Sequence, residues 1–159
     1  MFTVKQVDTK SKKEVNEFVN FPFEIYSEEP MWVPPILADI KLMLNKDKHP
    51  FYEHSDAEFF TVQENEKLVG RIACIENKKY NQYHDKKQAS FYLFECKDDQ
   101  AIADKLFERS FDWAHDRGLD TIVGPKGLSS FDGYGFLIEG FDKRQMMTMM
   151  NYNFPNYPK

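Results

Sequence analysis

The fold of this chain is decided by the run ASFYLFE at Ala89–Glu95 and by the two segments that follow it. A nearly unbroken apolar run of this length is typical of a central strand that is covered on both faces. The segment Asp99–Arg117 predicts a helix, and the residues DTIVG at Asp120–Gly124 predict a short buried strand. A strand, a helix and a second strand in this order predict a right-handed crossover between parallel neighbours.

The crossover helix is predicted from an apolar stripe whose spacing fits one helical face. Asp98 or Asp99 offers a side chain for its N-cap. At the other end Arg117 complements the helix dipole, and Gly118 stands where a left-handed residue ends a helix. The predicted stripe consists of Ala103, Leu106, Phe107, Phe111 and Ala114.

Upstream of the crossover the apolar pattern has a period of two residues. Ala57–Gln63 and Leu68–Asn77 are predicted strands, and Glu64–Lys67 is the turn that joins them as a hairpin. Gly70, inside the second strand, indicates a β-bulge or a close approach of another backbone. Asn77–Lys87 is predicted to be a loop or one helical turn before the central strand.

The first part of the chain predicts a short strand followed by helices. Ser11-Lys12-Lys13-Glu14 has the form of a capping box. Pro22 is expected to end or kink the helix that begins there, because proline lacks an N–H and clashes with the preceding turn. A second short helix is predicted over Phe23–Ser27 and a further one over Ile36–Leu44. Between them, Trp32 is expected to pack against the core as part of a rigid, proline-rich crossover.

The composition describes a globular chain without a strongly charged partner. Its 159 residues are enough for one domain, and 42% of them are apolar, which excludes a disordered chain. The net charge of −5 gives no field that favours a phosphate backbone or an anionic membrane, so neither nucleic acid nor a membrane is a predicted partner. Without a signal peptide or an apolar span, the predicted location is the cytoplasm. Cys74 and Cys96 are predicted to be buried free thiols.

After Pro125 the pattern becomes rich in glycine and predicts mainly loops. Gln145–Asn151 is compatible with one more strand, and its methionines are predicted to be core residues or an adaptable partner surface. Asn153–Lys159 predicts no element, and we expect the domain to be cut short at this end. Together the elements predict a single α/β (α+β) domain over residues 1–159. Its mixed sheet has an antiparallel hairpin followed by a βαβ crossover, with helices on both faces.

Five short phrases of the sequence stand out beside this pattern. They are Trp32-Val33-Pro34-Pro35, His49-Pro50-Phe51, Val69-Gly70-Arg71-Ile72, Gly124-Pro125 and Gly140-Phe141-Asp142. With the hairpin and the crossover, they resemble the GNAT superfamily of acyl-CoA N-acyltransferases, and in particular a group of uncharacterised bacterial GNAT-like proteins. Members of that group are longer, so the resemblance implies that this chain is their N-terminal part.

The resemblance implies an acyl-CoA-dependent N-acyltransferase, with acetyl-CoA or another acyl-CoA as cofactor. It places the pantetheine arm in the gap where the strands before and after the crossover helix separate. The cofactor-binding residues that it implies are Leu93, Phe94, Cys96, Lys97, Asp99, Gln100 and Ala101.

Candidate catalytic residues lie at the end of the central strand and near the end of the chain. Glu95 is the candidate general base, and the alternative is a strand-end carboxylate in solvent. Tyr152 is the candidate acid that protonates a departing thiolate, with Tyr157 as a second choice, although aromatic residues of this kind also serve as packing groups.

Other polar clusters give a substrate prediction and argue against a metal. Ser129 and Asp132 form a candidate ligand loop at the carboxyl ends of the strands, although a turn built from Ser, Asp and Gly needs no ligand to explain it. No metal is predicted, since the spacing of His49 and His54 fits no known ligand pattern. We expect a small-molecule acceptor of unknown identity, and either the rest of a longer chain or a second copy as protein partner.

The turn that matches the phosphate-binding turn of GNAT enzymes departs from their pattern. In those enzymes glycines let free backbone N–H groups meet the pyrophosphate at a helix N-terminus. Here the turn Glu95–Ala101 has no glycine and three carboxylates. Two unit charges about 4 Å apart repel by about 1 kcal/mol in water and by about 4 kcal/mol in a surface-like dielectric, so this turn disfavours bound CoA. Two hypotheses stay open: an acyltransferase domain, and a GNAT-like binding domain that has lost its cofactor.

Overall fold

The computed structural model describes residues 1–147 and 149–158. Within these ranges the chain forms a sheet of five strands with helices around it. A 3-10 helix, Pro50–Glu53, precedes the second strand. The other elements, in chain order, are β1 (Phe2–Gln6), α1 (Lys12–Ile25), α2 (Leu37–Leu44), β2 (Asp56–Glu64), β3 (Lys67–Glu76), α3 (Lys78–His84), β4 (Gln88–Cys96), α4 (Gln100–Asp116) and β5 (Thr121–Val123).

The sheet has the mixed topology that the sequence predicts. Its strand order is β1-β2-β3-β4-β5, with antiparallel pairing from β1 to β4 and parallel pairing between β4 and β5. The hairpin of β2 and β3 turns through Asn65 and Glu66, which both have positive φ, at 50° and 64°. Two successive left-handed residues match the right-handed twist of the flanking strands. The parallel pairing runs only from Gln88 opposite Thr121 to Ser90 opposite Val123.

Helices cover both faces of the sheet, as predicted. One core lies between the sheet and α4 and contains Phe60, Ile72 and Leu106, each fully buried. A second core lies between the opposite face and the pair α1 and α2, and it includes Phe18 and Phe59, whose rings meet edge to face at 5.5 Å. The predicted fold class, α/β with a crossover after a hairpin, is confirmed.

Helix α4 has the predicted caps but a different buried face. Asp99 is the N-cap, since its Oδ1 accepts from the Ala101 N–H at 2.9 Å, and Gly118 follows the helix with φ of 72°. Phe111 of the predicted stripe is 56% exposed. The face that packs on β3 is instead centred on Leu106, because Gly70 lets that part of the helix approach the strand closely. The buried residues of α4 are Ile102, Leu106, Ser110, Trp113 and Ala114.

Helix α1 continues through Pro22 to Ile25, which corrects the prediction of a break and a second short helix. The prolyl nitrogen cannot donate to the Phe18 carbonyl, which would be its partner one turn earlier. In the structure Arg71 Nη1 donates to that carbonyl oxygen at 2.6 Å. The arginine therefore replaces the missing hydrogen bond, and the helix can extend for one more turn. At the other end Ser11 caps the helix, while the Glu14 carboxylate accepts from Asp8 N–H.

A β-bulge in β4 decides which side chains face which core. Arg71 lies opposite Glu95 and Ala73 lies opposite Tyr92, so β4 has one residue more than β3 over this stretch. The extra residue lies at Leu93, which has φ of 50°. Since side chains alternate between the faces of a strand, a regular strand would point Glu95 into the core under α4. The bulge turns Glu95 toward α1 and α2 instead.

Four further findings concern the remaining predictions. The predicted short turn before β4 is a helix, α3, capped by Asn77. Both cysteines are buried free thiols, as predicted. The suggested strand over Gln145–Asn151 includes Thr148, which lies outside the described residues, and the described positions on either side of it are not in a strand. No helix within residues 1–147 and 149–158 has the length and apolar character of a membrane span.

Replacing Gly70 by alanine is expected to destabilise the fold by about 1–3 kcal/mol through overpacking. The new Cβ would lie 2.7 Å from Ile102 Cγ2 and 3.0 Å from Leu106 Cδ1. Urea unfolding followed by circular dichroism measures the change, with Ser130→Thr as a control that adds one methyl group at an exposed position. An unchanged midpoint for Gly70→Ala would contradict the close approach of α4 to β3.

Candidate functional site

A cleft of about 650 Å³ opens on the face of the sheet that carries α1 and α2. The end of β4 forms its floor through Tyr92, Leu93 and Glu95. One wall is the segment Trp32–Ile36 with the first turns of α2, and the opposite wall is formed by residues 131–136 and by the described part of 145–153. The volume lies within the range of small-molecule sites, which is roughly 300–1,000 Å³.

The floor of the cleft holds a buried ion pair between Arg71 and Glu95. Arg71 Nε donates to Glu95 Oε2 at 2.6 Å, and the two side chains are 2% and 14% exposed. The guanidinium also lies 4.9 Å from the centre of the Phe18 ring. Glu95 Oε1 has no hydrogen-bond partner among the described residues, so this oxygen is the one that a ligand in the cleft could contact. The predicted role of Glu95 as general base stays a prediction.

The walls of the cleft are apolar and open to solvent. Seven large apolar side chains line it although each is at least 42% exposed. They are Ile36, Leu42, Phe131, Met146, Met147, Met149 and Met150. A contiguous exposed apolar surface of this kind is typical of a site that binds a ligand or a partner. The prediction that these methionines form a core strand is wrong for the described residues, because their side chains lie along an open cleft.

Tyr152 and Asp132, two predicted site residues, also line the cleft. The Tyr152 hydroxyl donates to Glu29 Oε2 at 2.8 Å, and burial, followed by this hydrogen bond and the Glu29 charge, raises the pKa of Tyr152 to about 12. Asp132 Oδ2 accepts from the Ser129 N–H at 2.7 Å and so closes a turn. Ser129 itself is exposed and is not among the lining residues. The acid and substrate-binding roles of these residues stay predictions.

Tyr92 is a floor residue that sequence reasoning missed. Its hydroxyl accepts from the Gly133 N–H at 3.1 Å, which ties the floor to the wall that carries Asp132. Burial raises the pKa of Tyr92, and the Gly133 hydrogen bond opposes this shift. The side chain is therefore a neutral polar group at the base of an apolar cleft.

On the far side of β4, the gap beside β5 is filled. We call this gap the strand slot: it is the space next to β4 beyond the last parallel pair, Ser90 with Val123. Phe136 and Tyr157 occupy it, with ring centres 6.3 Å and 5.2 Å from that of Phe94. The Tyr157 hydroxyl accepts from Cys96 N–H at 2.7 Å and donates to the Cys96 carbonyl at 2.8 Å. Both backbone groups that β4 presents to the slot at this residue are thereby satisfied.

The polar side chains of the turn between β4 and α4 have partners within the turn and in neighbouring segments. Asp99 caps the helix, Gln100 Nε2 donates to Asp104 Oδ1 at 2.8 Å, and Lys97 Nζ lies 3.5 Å from Glu24 Oε1. Asn156 Nδ2 donates to Asp98 Oδ1 at 2.6 Å, so the segment with Tyr157 also covers the start of the helix.

Comparison with solved structures identifies the fold. The chain resembles a predicted acetyltransferase from Clostridium acetobutylicum, solved with acetyl-CoA, with a TM-score of 0.58 over 80% of this chain and 82% of that one, at 13% sequence identity. The other solved structures that it resembles are likewise GNAT acetyltransferases. The chain has the GNAT fold.

Two curated proteins are distant relatives of this GNAT-fold chain in sequence, and no family model matches it. A bacterial ceramide synthase of Caulobacter vibrioides is 27% identical over 144 residues, which are 90% of this chain and 38% of that protein. Protein YghO of Escherichia coli is 27% identical over 132 residues, which are 83% of this chain and 34% of that protein. The chain thus spans little more than a third of the length of either relative.

The residues implied for acyl-CoA do not fit that cofactor in this conformation. The GNAT resemblance places pantetheine in the strand slot, where Phe136 and Tyr157 lie. It places the pyrophosphate at the start of α4, where Asp99 already accepts the Ala101 N–H. Leu93 and Phe94 line the cleft as well as the edge of the slot, while Cys96 faces the slot through its backbone. Their cofactor role stays a prediction, as does that of Lys97, Gln100 and Ala101.

The groups that sequence reasoning missed include the partner of Glu95. Arg71 is a lone charged residue inside the apolar part of β3, and this in itself is a signal of a buried partner. A buried arginine requires a partner, and the nearest candidate carboxylate on the neighbouring strand is Glu95. The described residues contain no group of three His, Cys, Asp or Glu side chains arranged to hold a metal ion.

Arg71→Met is expected to lower the free energy of unfolding by about 3–5 kcal/mol, because it leaves Glu95 as a largely buried charge without its partner. Combining it with Glu95→Leu should recover much of that loss, since both charges are then removed. Chemical denaturation of the single and double variants gives the coupling energy. Lys13→Met, which removes an exposed pair with Glu17, is the control and should leave the midpoint nearly unchanged. Additive effects of the Arg71 and Glu95 changes would contradict the pair.

Proposed function

We propose that this chain is a GNAT-fold acyltransferase domain whose cleft holds an apolar, amine-bearing acceptor. The observation that carries the proposal is the cleft itself: exposed apolar side chains line its walls, and the Glu95 carboxylate lies on its floor. An aliphatic chain would cover the methionine and isoleucine side chains. Each Å² of apolar surface removed from water in this way contributes about 25 cal/mol to the free energy of binding. The polar end of the ligand would then face Glu95.

Charge on the lining favours a cationic head group. Three carboxylates line the cleft, those of Asp39, Glu95 and Asp132. The one arginine among the lining residues, Arg71, is engaged with Glu95 and the Phe18 carbonyl. An amine near Glu95 Oε1 would meet an acceptor for its proton, which is the first requirement for N-acylation.

The relatives support an acceptor of this class. The Caulobacter protein is named a ceramide synthase, and a ceramide is an N-acylated long-chain amine. For this chain, acetyl-CoA or another acyl-CoA as donor, a long-chain amine as acceptor and a cytoplasmic location all belong to the proposal. Tyr152 would act beside Glu95 as the acid, once its hydrogen bond to Glu29 is released.

A second function is favoured by the slot and the turn. A filled strand slot and a glycine-free, acidic turn support a GNAT-like domain that binds an apolar ligand, or the rest of a longer chain, without transferring an acyl group. Both functions use the same cleft, and they differ only in whether acyl-CoA binds. Calorimetry with acetyl-CoA at millimolar concentration separates them, because heat of saturable binding is expected from the acyltransferase alone.

Dodecylamine is expected to bind in the cleft and to change the fluorescence of Trp32, which lines one wall. Titration below the critical micelle concentration should give saturable binding, whereas butylamine, which lacks the aliphatic chain, should not bind. Trp32→Phe should abolish the signal, since the other tryptophan, Trp113, lies on the buried face of α4 and is only 6% exposed. An equal response to dodecanol would argue against a site that selects an amine.

Ile36→Ser is expected to weaken dodecylamine binding about tenfold, because burying an isoleucine side chain contributes about 1.5 kcal/mol or more. Ile36 is 60% exposed and is the N-cap of α2, a position where serine is favourable, so the fold should be preserved. Ile138→Ser is the matched control, since Ile138 is 75% exposed but does not line the cleft. Equal losses in the two variants would place the amine outside the cleft.

A further inference from the structure

The segment Asn153–Pro158, which we call the tail, makes specific polar contacts with the end of β4. The hydroxyl of Tyr157 both accepts from Cys96 N–H and donates to the Cys96 carbonyl. Asn156 binds Asp98 at the start of α4, and Asn153 is 3% exposed and accepts from the Leu137 N–H at 2.7 Å. Successive residues of a strand point their backbone groups to alternate sides, so Cys96 presents its N–H and carbonyl toward the slot. The tail therefore occupies a site with its own hydrogen-bonding groups.

Tyr26 provides a second, independent sign that this position is a polar binding site. Its side chain is 1% exposed, and its hydroxyl lies close to the Tyr157 hydroxyl and the Glu95 carboxylate without a hydrogen bond of normal geometry to any described residue. A buried hydroxyl without a partner is unfavourable and rare in folded proteins. Burial, the Glu95 charge and the neighbouring Tyr157 all raise the pKa of Tyr26, so the group stays a neutral donor. The Tyr26 hydroxyl, the Glu95 carboxylate and the Cys96 backbone thus all lie close to the Tyr157 hydroxyl.

We infer that the tail is the resident occupant of the strand slot and keeps acyl-CoA out of it. The tail takes the Cys96 backbone groups that a thin ligand lying along β4 would need, and its aromatic rings pack on Phe94. Acyl-CoA can then bind only in competition with the tail, which lowers its affinity by the free energy of the tail contacts. The inference concerns the slot and acyl-CoA, whereas the acceptor is proposed for the cleft.

Cysteine labelling reports the position of the tail without any assay of activity. Burial raises the pKa of both the Cys96 and the Cys74 thiols to about 12, so both should react slowly with N-ethylmaleimide in the native chain. Changing Asn156 and Tyr157 together to alanine should release the tail and speed labelling of Cys96 by about tenfold or more. Cys74, which is buried under α4 beside Ser110, is the internal control and should not change.

The same variants decide whether the tail excludes acyl-CoA. In equilibrium dialysis the unmodified chain should bind acetyl-CoA only weakly, because the ligand must compete with the tail for the slot. The double alanine variant should bind it about tenfold or more tightly than the unmodified chain, because two or more hydrogen bonds no longer compete. Tyr157→Phe keeps the ring and removes only the hydroxyl, so it tests the same point should the double variant fail to fold. Tyr83→Ala, at a side chain 85% exposed, is the surface control.

Three results would overturn the inference. The first is saturable acetyl-CoA binding by the unmodified chain that the tail variants leave unchanged. The second is unchanged Cys96 labelling in a folded tail variant, since the tail would then not cover β4. The third is a variant in which Cys96 becomes reactive while acetyl-CoA affinity does not rise, because the acidic turn alone would then exclude the cofactor. The dodecylamine titration uses the unmodified chain without acetyl-CoA, so this inference and the proposed acceptor can fail separately.

Discussion

The buried guanidinium of Arg71 connects the parts of the structure on which the cleft depends. It donates to the Phe18 carbonyl that Pro22 leaves free, and it pairs with Glu95 on the neighbouring strand. A buried guanidinium requires both contacts, because the cost of its desolvation is offset only when its N–H donors have hydrogen-bond acceptors. The helix α1, the hairpin and the end of β4 are therefore fixed relative to one another, and the floor of the cleft is rigid before any ligand arrives.

The bulge at Leu93 gives β4 two functional sides within a few residues. It turns Glu95 toward the cleft, and it leaves the Cys96 backbone facing the slot. A left-handed leucine costs of order 1–3 kcal/mol and persists only where the surroundings fix it. Here the ion pair on one side and the Tyr157 hydroxyl on the other hold the strand in place. The bulged strand thus presents a carboxylate to the cleft and backbone groups to the slot that the chain itself fills.

The sequence is sufficient to predict those elements that local signals determine. The cap at Asp99, the left-handed Gly118 and the apolar run of β4 lie close together in the chain, and each has a direct physical meaning. The site depends on contacts between distant residues, which periodicity cannot show. Arg71 meets Glu95 from another strand, nothing in the sequence around Leu93 signals a bulge, and Tyr157 reaches Cys96 from the far end of the chain. The apolar walls were hidden for a different reason, since methionines predict a core equally well.

The cleft and the slot cannot be independent, because one short segment contributes to both. Tyr152 lines the cleft and donates to Glu29, and Tyr157 of the same segment fills the slot. Phe154, between them, packs on Tyr26 with ring centres 4.7 Å apart. A ligand that displaces Tyr152 from the cleft must therefore change the free energy of the tail in the slot. By linkage, a ligand that displaces the tail must change affinity in the cleft by the same factor. Under the proposed function, such coupling is the physical route by which an acceptor in the cleft would open the slot for acyl-CoA.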